Sequence, residues 1–419
     1  MLLLVWLASG TMSPYAATLK GPIVLPCGYL ANIDHIHFKA TFLLLDGADS
    51  QDWAFSVVLR RMLFPLLAYP AMKLWGFELG GVVTSMLFLL LAFVCFIHFV
   101  RRNIGEVAAR RAMWLLATYP GITYWGGLPY SYAAIVPCSL FAIMLLWKLN
   151  DSRTARSVLL LSLGLGVLFV GYDLFPFFGL AAILIVLRNR MYLKVPLVFV
   201  GALIPQMLVW TWLKVFHGVD LRNSNTEPLY AIPLSYLHRP DFSKWAALLS
   251  DVPRVGVYNF LFSNFLFLPV LFVLLYGLAR WKKQMGLHPV EKMVLCAGLL
   301  VFLFNNMAPP YEGWQMRGDW ISRLYQPIFT ALLLFSARIL QSASGWSRGL
   351  RTTYLGLFLA AVVLQGLFSA GPVLNNPYAG PLYFRFYKHH PTNRDLGEPD
   401  SLARNLEAHG RRPLGFCRP

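Results

Sequence analysis

The sequence predicts an all-α polytopic membrane protein with about eleven transmembrane or re-entrant helices, and three observations carry that expectation. Hydrophobic residues fill 57% of the 419 positions and charged residues only 13%. Mean hydropathy is +0.56, so lipid is the main solvent, because a water-soluble chain of this length carries far more charge. The apolar runs, such as 82–100 and 257–279, are long and unalternating. Hydrocarbon forces backbone amides to be satisfied internally, which leaves helices or a closed barrel, and the missing alternation excludes the barrel.

A span needs about 20 apolar residues. The candidates lie at roughly 1–19, 80–100, 113–128, 129–147, 157–172, 173–187, 195–213, 257–279, 293–308, 323–338 and 353–370. The segment 157–187 as one helix would measure about 46 Å, too long for a hydrocarbon core of about 30 Å. It therefore reads as two short, tilted or re-entrant helices meeting near Gly171–Pro176. In 113–147 the break falls at Gly126, Gly127 and Pro129. The N-terminus, MLLLVWLASG, lacks a basic n-region and reads as an abruptly starting first span.

Charge placement tests this parity. With these spans the loops 101–112, 148–156, 188–194, 280–292 and 338–351 share one side and hold 17 Lys and Arg against 3 acids, or +14 of the net +17. Short basic loops face the cytoplasm. The basic residues punctuate apolar runs and form no surface stripe, so the net charge does not point to nucleic acid. Segments 20–79, 214–256 and 309–322 then face outward, followed by the tail. Leu43–Leu45, Phe55–Leu59 and Met62–Leu74, broken by Pro65 and Pro70, read as helices lying in the interface. The chain divides into a transmembrane domain, 1–370, containing the first external loop, 20–79, and an external tail, 371–419. Trp53, Trp75, Trp210, Trp212, Trp245, Trp314 and Trp320 fall at outer ends, as an aromatic belt would. Compact loops, and a sequon (Asn150-Asp151-Ser152) on the cytoplasmic side, suit a bacterial plasma (inner) membrane. The five cysteines contain no CxxC, and three lie inside apolar runs, where they serve as small hydrophobes.

By this count 16 of the 19 carboxylates lie outside. A solvated outer face accounts for many of them. Asp34, in Asn32-Ile33-Asp34-His35-Ile36-His37, follows the first span closely. Asp173, in Gly171-Tyr172-Asp173-Leu174-Phe175-Pro176, has apolar sequence on both sides. A carboxylate that near hydrocarbon is costly unless paired or facing a wet cavity. Asp173 therefore reads either as a helix-capping acid at the break or as a cavity residue. Arg323 opens an apolar span in Trp320-Ile321-Ser322-Arg323-Leu324-Tyr325-Gln326-Pro327. It either snorkels to the interface or clamps phosphate, for which guanidinium geometry is suited. Arg60 and Arg61, ahead of Met62–Leu67, offer a second anionic site; Asp319, with Arg317 and Glu312, shares the loop before Arg323. His35 and His37 beside Asp34 form only a weak metal pattern, so no metal ligand is assigned. GxxxxGK[ST] and HExxH are absent, which removes support for a nucleotide-driven pump and for the common zinc hydrolases.

One arrangement runs through these features over roughly 1–340. An acid soon follows the first span, then comes a long external segment with interfacial helices. A basic-flanked hairpin carries Tyr119-Pro120 and Gly127-Leu128-Pro129-Tyr130-Ser131, and after it come the Tyr172-Asp173 turn and the late Arg323-Leu324-Tyr325-Gln326-Pro327 segment. In this the chain resembles the GT-C superfamily of membrane glycosyltransferases, which use polyprenyl-phosphate-linked sugars. The resemblance implies transfer of a sugar from a polyprenyl-phosphate donor to a glycan, lipid or protein acceptor at the external face. Asp34 matches the first-loop acid that acts as base, Asp173 a second external acid lining the cavity, and Arg323 a late basic residue at the donor phosphate. Arg60 and Arg61 would join the phosphate site, and His35, His37, Tyr172, Asp319 and Tyr325 the pocket. Many members carry a second acid beside the first; here His35 follows Asp34, which leaves the use of a divalent metal open. Two other classes compete. A secondary transporter or lipid flippase would use Asp173 as its coupling site. A non-catalytic assembly subunit would leave Asp34 and Asp173 apart in space.

Overall fold

In the computed structural model the described residues are 41–42, 44–47, 61–119, 131–172, 174–218, 287–307, 326–341 and, with short gaps, 347–363. Among them helix is the only regular secondary structure. The helices are α1 (Leu63–Trp75), α2 (Phe77–Asn103), α3 (Glu106–Ala117), α4 (Ile135–Asp151) and α5 (Ala155–Phe169). They continue with α6 (Leu180–Arg188), α7 (Val195–His217), α8 (Pro289–Met307) and α9 (Gln326–Gln341). A 3-10 turn, Ser131–Ala134, leads into α4, a π turn, Phe175–Gly179, into α6, and a 3-10 turn, Tyr192–Lys194, into α7.

Two of these helices are long and apolar enough to cross a membrane, over Leu79–Asn103 and Tyr192–His217. A soluble protein's core helix passes the same test of composition, but it is buried. Here only 33% and 17% of the most apolar stretches are buried. Leu87, Leu91 and Val94 on α2, and Leu203, Leu208 and Val215 on α7, are exposed, and an apolar face of that size requires lipid or protein against it. The expected count of about eleven spans is not reached among the described residues. Ala155–Phe169, Phe177–Arg188 and Pro327–Arg338 are apolar but shorter. At ~1.5 Å per residue, the 15 residues of α5 cover only about 22 Å of a core about 30 Å thick. Similarly, α3 ends at Ala117, where the sequence led us to expect a helix to 128. Candidate spans 1–19 and 257–279 lie outside the described residues.

Helix α4 is the central post. Ten of its positions are buried, from Ile135 round to Leu149, and α2, α5, α6, α8 and α9 pack around it. Its sequence, IVPCSLFAIMLLWKLND, is mostly apolar, as a helix packed on several sides requires, and the stripe of Phe141, Met144, Leu145 and Lys148 is the face left partly or fully exposed. Outside it, α5 crosses α7 closely through small residues. A Cβ on Gly166 would stand 2.7 Å from the Ala202 carbonyl oxygen, and one on Gly201 2.7 Å from the Ser162 Cβ. Such contacts bring helices together where apolar side chains gain nothing by leaving lipid. Helices α1 and α2 form a hairpin joined by Gly76 at φ 84°, a left-handed backbone that glycine adopts without steric cost. Helix α1 runs unbroken through Pro65 and Pro70, although the sequence suggested a break at each. Pro65 sits in the first turn, where its missing N–H has no partner to lose. Pro70 does cost α1 a bond, and packing against α2 offsets it.

The basic loops gather at the C-terminal end of α4. Asn189 Nδ2–H donates to the Asn150 carbonyl at 2.9 Å, and Lys194 donates to the Arg153 carbonyl. The His288 imidazole stacks on Trp147 with ring centroids 3.5 Å apart. Arg111 lies over Phe358, and α3 packs on α9. The three acids on these loops are all engaged. Glu106 pairs with Arg101 and Arg110, and Asp151 accepts from the Asn150 amide. Glu291, its side chain 0% exposed, accepts from Arg338 at 2.8 Å and from the His288 N–H at 2.7 Å. Removing either member of such a buried pair strands a charge and is strongly destabilising.

Burial, and secondarily the nearby Arg338 charge, lower the His288 pKa from 6.5 to about 4. Between those values the unfolded chain binds a proton that the folded chain refuses, so stability is lost as pH falls from 6.5 toward 4. The thermal midpoint of the detergent-solubilised protein should therefore drop between pH 7 and pH 5. His288→Phe, which keeps a ring against Trp147, should flatten that dependence.

Candidate functional site

The opposite end of the post, at the N-terminus of α4, is where two of the predicted pocket residues meet. Arg61 is 6% exposed and its guanidinium carbon lies 4.2 Å from the centroid of the Tyr172 ring. Tyr172 is 1% exposed. An aromatic face attracts a cation through its quadrupole, and the attraction grows as water is excluded. The two residues come from segments far apart in sequence, and the backbone holds both in place. Ser131 Oγ donates to the Arg61 carbonyl at 2.9 Å, tying the chain ahead of α1 to the turn that starts α4. The Leu63 N–H donates to the Val170 carbonyl at 3.2 Å, tying it to the end of α5.

Local sequence explains the shape of this end. Helix α5 stops at Phe169, and the π turn begins at Phe175, so the break falls where Gly171 and Pro176 suggested. Gly171 is pressed against α4: a Cβ there would meet Cys138 Sγ at 2.8 Å and a Leu63 methyl at 3.1 Å. A larger residue would have to push these neighbours aside. A π turn is uncommon and tends to occur at functional positions; here it carries the chain from the Tyr172 segment into α6. Leu44, Met62, Val170 and Leu213 form a small buried cluster that joins the chain ahead of α1 to the end of α5 and to α7.

A polar tether lies alongside. The Lys73 ammonium donates to Asp46 Oδ1 at 2.5 Å, and the Tyr69 hydroxyl to the same oxygen at 3.1 Å. The Lys73 bond, more than the Tyr69 bond, holds the Asp46 carboxyl below its ordinary pKa, and the Asp46 bond raises both Lys73 and Tyr69. With Phe42 against Tyr69 at 5.8 Å, these contacts anchor Phe42 and Asp46 to α1. Sequence reasoning passed over this cluster. Its one signal was Lys73, the basic residue in the last turn of an otherwise apolar helix.

Arg61 was expected at an anionic surface, yet it is buried. Its side chain is turned inward onto Tyr172, and its neighbour Arg60 lies outside the described residues, as do Asp34, His35, His37, Asp173, Asp319, Arg323 and Tyr325. Among the described residues no three His, Cys, Asp or Glu side chains gather as a metal site. The chain matches no protein-family model, and comparison with curated proteins and with solved structures gave no significant match.

The Arg61–Tyr172 contact is testable by a double-mutant cycle on thermal stability. Arg61→Met and Tyr172→Leu should show a coupling of about 1–2 kcal/mol, as for a desolvated cation–aromatic pair. Tyr172→Phe should retain most of it.

Proposed function

We propose that the chain is a polytopic membrane glycosyltransferase of the GT-C type, transferring a sugar from a polyprenyl-phosphate donor to an acceptor at the external face of a bacterial plasma membrane. The observation that carries the reading is the buried Arg61–Tyr172 contact. It joins the first external segment to the Gly171–Pro176 break at the end of α4 remote from the basic loops. The chain on either side of these residues contains Arg60 and Asp173, and Asp34 precedes the anchored Phe42 by only a few residues. The gathering of basic loops at the other end supports their cytoplasmic placement, with the tail, 371–419, outside.

A sugar hydroxyl is a poor nucleophile near neutral pH, so a positioned carboxylate must take its proton as the new bond forms. Asp34 fills that role in an inverting single displacement. The acceptor oxygen attacks the anomeric carbon, the bond from that carbon to the phosphate oxygen breaks, and the electron pair leaves on the polyprenyl phosphate. Arg323 and Arg60 stabilise the growing phosphate charge, and Arg61, buried against Tyr172, positions its neighbour Arg60. Asp173 orients the acceptor, and Tyr172 holds the Arg61 guanidinium in place. The donor's lipid tail stays in the bilayer, which is why the site belongs at helix ends. No step is assigned to a metal; the partners are donor, acceptor and membrane lipid. A transporter with Asp173 as coupling residue would need that carboxylate deep in the membrane.

Asp34→Asn should reduce transfer from radiolabelled polyprenyl-phosphate sugars, in membranes containing the full chain, by at least about 100-fold, the usual scale of general-base catalysis. Undiminished turnover would refute the assignment.

A further inference from the structure

At the basic end, the α4–α5 and α6–α7 connectors are bound to one another. Asn189 donates to the Asn150 carbonyl, Arg188 to Asn150 Oδ1 at 3.5 Å, and Lys194 to the Arg153 carbonyl. This brings Arg153, Arg156, Arg188, Arg190 and Lys194 onto one patch. The carboxylate among these connectors is Asp151, which faces the Asn150 amide. Arg190 has φ 58°, a left-handed conformation unusual for a residue with a side chain. The chain reverses there and turns Tyr192 and Leu193 outward, 63% and 94% exposed. From Leu193 the exposed apolar surface continues along α7 through Phe199, Val200 and Leu203.

We infer that this patch is a binding site for an anionic phospholipid, whose phosphodiester sits among the arginines while its acyl chains lie along α7. The inference rests on the reading that α7 crosses a bilayer; it does not depend on sugar transfer. The two halves of the surface together select the ligand. Clustered cations at headgroup level attract anionic lipid, and a soluble anion or a nucleic acid would make no use of the outward Tyr192, Leu193 and α7 face. A zwitterionic phospholipid offers the same acyl chains and phosphodiester, but its headgroup cation is repelled by the arginines and offsets the attraction.

Native mass spectrometry of the detergent-solubilised full chain, given phosphatidylglycerol, phosphatidylcholine or acyl-free glycerophosphoglycerol, tests this. Phosphatidylglycerol adducts should exceed phosphatidylcholine adducts at least about fivefold, and glycerophosphoglycerol should not be retained. The combined R153Q, R156Q and R190Q variant should bring the ratio near one. The charge-matched R102Q, R348Q and R351Q variant, altered in other connectors, should keep it. Equal adducts in the parent, equal loss in both variants, or retention of the acyl-free headgroup would overturn the site. Failure of the reconstituted parent to co-float with phosphatidylcholine vesicles would overturn the membrane placement itself, and the site with it; co-flotation with equal adducts would overturn the site alone.

Discussion

Helix α4 buries most of its surface among five neighbouring helices, which must present apolar surface to it, and the rest of the fold follows from that requirement. No charge can enter its middle, so polar chemistry is pushed to its two ends. At the C-terminal end, Trp147 and Asn150 meet His288, Arg188 and Asn189. At the N-terminal end, Ser131 meets the backbone of Arg61, and Cys138 meets Gly171. Helices α2 and α7, long and apolar enough to cross a membrane, carry the apolar surface that this arrangement leaves outside.

The two ends are built differently. The basic end is dense with ion pairs and side chain–backbone bonds that lock connectors together. At the other end a buried guanidinium rests on an aromatic ring, between a 3-10 turn and a helix that breaks off before a π turn. Irregular backbone at a helix break costs regular hydrogen bonds, and proteins tolerate it where it lines a cavity or meets other protein. An end of this kind suits a lipid-linked donor: the tail needs hydrocarbon, the phosphate needs cations, and the acceptor hydroxyl needs water.

Some of this was legible in the sequence. Helices α2 and α7 could be read because an uninterrupted apolar run of that length is too long for most soluble cores and matches the thickness of a bilayer. The break after α5 could be read because Gly171 and Pro176 bracket it. The gathering of several basic connectors at one end of α4 agrees with their having been grouped by charge. The number of spans was harder to read. A helix largely buried in protein, such as α4, and one with an exposed apolar face, such as α7, have the same apolar composition, and hydropathy cannot separate a short buried helix from a full span. Nor could sequence show that Arg61 turns inward, since an Arg-Arg pair ahead of an apolar run looks the same either way. The Glu291–Arg338 pair depends on α8 and α9 lying side by side, which no local pattern encodes. Of the candidate site, the Arg61–Tyr172 meeting is visible, and the carboxylates assigned to catalysis lie outside the described residues.

The central claim is one of convergence at the end of α4 remote from the basic loops. An experimental structure of the full chain with a polyprenyl phosphonate analogue of the donor tests it most directly. The account predicts the phosphonate beside Arg323 and the Arg60–Arg61 pair, with Asp34 and Asp173 lining the same water-filled pocket. It would be contradicted by a phosphonate bound at the basic end, or by Asp34, Asp173 and Arg323 facing separate surroundings.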